Sequence, residues 1–143
     1  MSMRTRKRFR SGNALLDMAF VLPILLALTF GAVEYGYALY IKHSLQSAAR
    51  EGARAAIVAG ATATNVQDAV DASMLAAGFV QSKYTRPPTI TPANWATSTA
   101  GTTVTVSVTT TWGTAGIQVL PTVMGGIGPA KQLIGSTTMR KEG

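Results

Sequence analysis

Few of the 143 residues have the types and spacing that covalent chemistry needs. There is one histidine, His43, with six carboxylates scattered through the chain and no cysteine. No ligand partner stands at workable spacing from His43, so it reads as an ordinary residue near a membrane boundary and no metal is expected. The run GGIGPAK, Gly125 to Lys131, lacks the spacing of a phosphate loop, and no nucleophile elbow is present. The sequence therefore predicts no enzyme and no cofactor. The unusual chemistry lies in two acids of a long apolar run. Asp17 and Glu34 bracket sixteen residues without a charge, MAFVLPILLALTFGAV. An ionisable group in such surroundings costs a few kcal/mol or more unless it finds a partner.

The element that must position these acids is a helix. With the flanks Asn13 to Leu16 and Tyr35 to Ile41 the mostly apolar stretch extends to twenty-nine residues, about 43 Å of helix against the ~30 Å that a hydrocarbon core requires. Residues 13–41 are thus expected to cross a lipid bilayer. Five of the thirteen basic residues, Arg4, Arg6, Lys7, Arg8 and Arg10, fall within residues 1–12 with no acid among them; without that leader the net charge drops from +7 to +2. The positive-inside rule then keeps the N-terminus cytoplasmic and exports residues 42–143. No recognition helix, stacking platform or metal finger accompanies the basic arm, so no nucleic-acid partner is expected. The lack of cysteine fits an exported domain that uses no disulfides and rules out a lipidated cysteine anchor. A cleaved secretion signal fits poorly, because the apolar run closes on bulky and aromatic residues, FGAVEYGYALY, rather than an A-x-A-like site.

Two readings of Asp17 stay open on charge alone. A peptidase cut after Gly12 would create an Asn13 ammonium one helical turn from Asp17, or beside the Asp17 of an adjoining subunit, and each charge would offset the other's burial cost. Otherwise Asp17 is an N-terminal helix charge at the interface, favourable to the macrodipole. Glu34, seventeen residues on, points about 260° away around the axis and sits ~31 Å from Asn13, near the outer boundary. There Tyr35, Tyr37 and Tyr40 suit an aromatic belt. Glu34 is then an interfacial acid or a contact to another subunit.

Past the membrane the helix continues through IKHSLQSAAREGARAAIVAG, which is rich in helix formers. Pro23, within the apolar part, would bend the helix or loosen one turn. Ala48, Gly52, Ala56 and Gly60 recur every fourth residue as a smooth stripe for this chain's own sheet or another subunit. Lys42, Gln46, Arg50 and Arg54 form the polar face, with Glu51 placed to pair with Arg54. A second helix carries Val66, Val70, Met74 and Ala77 on one face, with capping-box spacing at Thr64 and Gln67 and a terminating Gly78. The proline-rich TRPPTITPAN is a loop with at most a short edge strand near Ile90. Val104, Val106 and Val108 alternate with polar residues in a half-buried strand, whose apolar register Trp112 extends. PTVMGGIGPA then forms a glycine-rich turn, and Gln132 to Arg140 return as a final strand. The fold class is α+β: a long N-terminal helix, first transmembrane and then amphipathic, packed on a small antiparallel sheet, with a second short helix.

The segment GNALLDMAFVLPILLALTFGAVEYGYALY followed by AAREGARAA resembles the TadE-like minor pilins, or pseudopilins, of tight-adherence type IV pilus systems. The resemblance covers Gly12 to Ala56, with a weaker likeness in the Thr/Val-rich strand and the terminal TTMRKE. In that family the acid is usually Glu followed by an aromatic; here Asp17 and Met18 stand in those places. The resemblance implies a prepilin cut between Gly12 and Asn13 by a prepilin peptidase, with Asp17 as the helix-interface charge. It further implies a place in the bacterial inner membrane or in the pilus, and partners among other pilin or pseudopilin subunits and the inner-membrane assembly platform. Glu34, Tyr35, Ala48, Gly52 and Ala56 are the candidate positions for subunit contact, the alternative for the small residues being this chain's own sheet. Taken without the resemblance, the residues also fit a permanently anchored envelope protein with an exported binding domain and no processing.

Overall fold

A computed structural model describes residues 11–142, with side chains from Ala14 onward. The basic residues of the leader, and the side chains of Gly12 and Asn13, lie outside the described residues. The first element, α1 (Ser11–Ile57), is one helix of 47 residues that runs through Pro23 without ending; at ~1.5 Å per residue it is about 70 Å long. Two different environments share it. From Ala14 to Val33 nearly every side chain is exposed, with Ala27 and Gly31 half-covered. From Glu34 onward a buried seam runs through Ala38, Ile41, Leu45, Ala48, Gly52 and Ala56. Ala27 and Gly31 extend this seam backwards at the same three- and four-residue spacing, the repeat that keeps one face of a helix against a partner.

The partner is the rest of the chain. The second helix, α2 (Ala63–Ala76), lays Val66, Val70 and Met74 against α1. Its cap is Thr62, whose Oγ1 accepts from the Asn65 amide at 3.3 Å while the Asn65 side chain accepts from the Thr62 amide at 2.9 Å. The reciprocal pair expected at Thr64 and Gln67 therefore forms two residues earlier, where short Asn65 supplies the return acceptor in place of a Glu or Gln. At the other end Gly78, with φ +77°, donates to the Leu75 carbonyl and Phe79 to that of Met74. These two bonds make the Schellman closure that a left-handed glycine allows.

Three antiparallel strands complete the head in the order β1 (Thr89–Thr91), β2 (Thr103–Thr111), β3 (Gln132–Arg140). Val104, Val106, Val108 and Thr110 form the buried face of β2, and alternate residues form its outer face. On that face hydroxyls pair across strands, Thr105 with Thr138 at 2.7 Å and Ser107 with Ser136 at 2.9 Å. Each fully buried aliphatic side chain stabilises by about 1.5–3 kcal/mol, so the valine row and α1 hold each other firmly. Contact is closest at two glycines. A Cβ on Gly52 would lie 2.7 Å from Val70 and 3.1 Å from Val106, and one on Gly135 would overlap the backbone of Leu45 and Gln46. Gln46 also reaches the free edge of β3: its Nε2 donates to the Ser136 carbonyl at 2.8 Å and its Oε1 accepts from the Ser136 amide at 3.2 Å. A short helix, α3 (Trp112–Ala115), follows β2, and its buried Trp112 meets Tyr37 edge-on.

Candidate functional site

The first functional feature is the naked half of α1. Leu15, Phe20 and Leu28 are each about 70% exposed, and the most apolar eighteen-residue window has no buried residue. A bare apolar surface of this extent marks contact with lipid or protein. Its length and composition are consistent with a single-pass membrane anchor. Asp17 is exposed within this half. The bond between Gly12 and Asn13 belongs to the first turn of α1.

Glu34 is covered by this chain's own loop and is not left open to another subunit. It is fully buried, because it falls on the seam, and its carboxylate accepts two backbone hydrogen bonds: from Leu120 at 2.9 Å on Oε2 and from Ile127 at 2.7 Å on Oε1. The loop between α3 and β3 is thereby tied to the helix at both of its legs. Tyr35 adds a third tie by donating to the Gly125 carbonyl at 3.3 Å. Within the loop, Met124 and Gly126 donate to the Pro121 carbonyl, and Gly125 donates to that of Thr122. The other two tyrosines of the expected belt are engaged as well. Tyr40 donates to the Ala77 carbonyl at 2.7 Å and stacks on Phe79, while Tyr37 packs on Trp112.

The small stripe is likewise used within the chain. Ala48, Gly52 and Ala56 are buried beneath α2 and the sheet, which leaves them no face for another subunit. Gly60 is not on the stripe: α1 ends at Ile57, and Gly60 forms the following turn with φ +76°. Of the five positions read as subunit contacts, Tyr35 alone keeps a substantial exposed surface, at 54%.

Elsewhere the ionisable groups stabilise the head. Asp71 of α2 accepts from Tyr84 at 2.7 Å and from Arg86 Nε at 3.1 Å, with a second contact from the Arg86 guanidinium. Burial pushes the Asp71 carboxyl up, but the bonds from Arg86 and Tyr84 outweigh it and hold it below the ordinary carboxylate range. Burial and the Asp71 contact both push the Tyr84 phenol up. Glu51 and Arg54 pair at 3.6 Å on an exposed face, worth a few tenths of a kcal/mol. His43 is exposed, and among the described residues no group of three His, Cys, Asp or Glu side chains forms a metal site. The sequence reading missed the loop ties of Glu34. The chain carries no charge from Pro87 to Ala130, forty-four residues, but β1 and β2 lie in the same run, so it does not single out the loop.

These features define a protein with an exposed apolar N-terminal helix whose distal half is the spine of an α+β head. Residues 12–54 are similar to a known family, matching the model described as TadE-like protein. No curated protein and no solved structure matches the chain. The matched span starts at Gly12 and ends at Arg54, so it takes in the apolar half of α1, Glu34 and most of the seam.

Proposed function

We propose that this chain is a minor pilin, or pseudopilin, that assists assembly of a tight-adherence type IV pilus. The observation that carries the reading is the TadE-like match over residues 12–54, falling on a helix whose apolar half is uncovered while its distal half is spoken for by the chain's own head. The precursor enters the bacterial inner membrane with its basic leader cytoplasmic and its head exported. A prepilin peptidase cuts between Gly12 and Asn13. The new ammonium and Asp17, its own or a neighbour's, then neutralise one another in the low-dielectric layer. Lateral contact with other pilin subunits and with the assembly platform runs along exposed side chains such as Leu15, Phe20 and Leu28. Because Glu34, Ala48, Gly52 and Ala56 are consumed internally, this contact surface lies N-terminal to the head, with Tyr35 at its border.

N-terminal sequencing of the protein extracted from membranes of cells with active prepilin peptidase tests the reading. A mature start at Asn13 is expected, along with loss of maturation or of fibre output in Asp17→Ala. A retained basic arm would instead leave a permanently anchored envelope protein whose head binds its target without processing.

A further inference from the structure

The loop from Gly116 to Pro129 is usually the sort of segment that runs over a water-facing surface, yet here it lies along the apolar half of α1. Leu120 sits against Gly31, where a Cβ would meet its Cδ1 at 3.5 Å. A groove between loop and helix is walled by Pro23, Leu26 and Phe30 on one side and by Val119, Pro121 and Met124 on the other. Pro23 precedes Glu34 by eleven residues, so the loop follows the helix for about 16 Å from the carboxylate toward the N-terminus. A bilayer that receives the uncharged stretch Met18 to Val33 must receive this loop beside it.

Its composition and bonding fit that position. The loop carries no charge, as the last part of a run from Pro87 to Ala130 that has none, and Lys131 follows at once. Val123, at the tip, is 92% exposed, and Met124 is 54% exposed. Irregular backbone facing lipid is costly at membrane depth, so each amide that the protein itself pairs lowers the cost of insertion, and six of the twelve amides in the loop are paired this way. Glu34 takes the amides of Leu120 and Ile127, Tyr35 supplies the Gly125 carbonyl, and the tip closes three bonds on itself.

We infer that the 116–129 loop is a second membrane-inserted element, a re-entrant hairpin pinned to α1 by Glu34, with lipid acyl chains covering Val123, Met124 and the groove beside Phe30. The inference rests on α1 spanning a bilayer and is independent of any cut at Gly12 or any fibre.

The natural lack of cysteine makes a direct test simple. Val123→Cys, Leu25→Cys and Thr138→Cys, each in the full chain and labelled with a bimane fluorophore, are reconstituted in phosphatidylcholine and phosphatidylglycerol vesicles. Nitroxide-bearing acyl chains should quench positions 123 and 25 and leave 138 unaffected, whereas aqueous iodide should quench 138 alone. Acyl quenching at 25 with iodide quenching at 123 overturns the inference while leaving the anchor intact. Iodide quenching at both removes the anchor and the inference together. A label at 123 shielded from both quenchers means that protein, such as a second copy, covers the loop, which also overturns it.

Discussion

Replacing Glu34 with alanine removes an acceptor that serves two backbone amides at once. Both donors, Leu120 and Ile127, sit at 2.9 and 2.7 Å from separate oxygens of a fully buried carboxylate. Stranding a buried donor costs about 1–3 kcal/mol, so two stranded donors predict a loss of about 2–6 kcal/mol. Glu34→Gln keeps one acceptor oxygen and turns an NH2 toward the other amide, so about half of that loss is expected. The loss is local. Hydrogen exchange followed by mass spectrometry on the reconstituted full chain should show faster exchange at Leu120 and Ile127 in Glu34→Ala, with β2 and α2 unchanged. Urea unfolding of the detergent-solubilised protein supplies the energy. If Glu34→Ala and the parent protein agree within about 0.5 kcal/mol, the range expected of an uninvolved surface site, and exchange is equal at both amides, Glu34 does not pin the loop.

Gly135→Ala places a methyl group on the backbone of Leu45 and Gln46, which has no side-chain route of escape; a loss at or above the ~1–3 kcal/mol of ordinary overpacking is expected in chemical unfolding. Thr62→Ala should cost about 1 kcal/mol by loss of the reciprocal cap of α2, readable as a lower unfolding midpoint, whereas Thr64→Ala should be near neutral. The Asp71, Tyr84 and Arg86 cluster gives stability a pH window. The lowered Asp71 carboxyl contributes above its ordinary value of 3.8, and that contribution fades as pH falls through the depressed one; the raised Tyr84 phenol contributes below 10.0, and its share fades as pH climbs beyond it. Melting temperatures measured across pH should therefore converge for the parent and Asp71→Asn in acid and differ near neutrality.

Local patterns predicted local structure well. The helix formers after Ile41, the alternation of Val104, Val106 and Val108, and the Gly78 stop each act over a few residues, and each produced the expected element. What escaped was long-range. Glu34 meets its donors 86 and 93 residues away, so its burial cannot be read from its own neighbourhood. The four-residue stripe ending at Gly60 was an approximation to the true seam, which alternates steps of three and four and starts as early as Ala27. Two of the three tyrosines expected in an interface belt also contact the head, because Phe79 and Trp112, remote in sequence, come to lie beside them.

The Gln46 amide on Ser136 has a further consequence for how copies of the molecule can join. It behaves as a one-residue imitation of a fourth strand, occupying the donor and acceptor at the midpoint of the edge on which a neighbour would pair. At the opposite margin, β1 offers three residues hemmed by Pro88 and Pro92. Backbone pairing with a neighbour is thus hindered at the middle of one margin and along the other, and in the fibre proposed above the joining would fall to the greasy stalk.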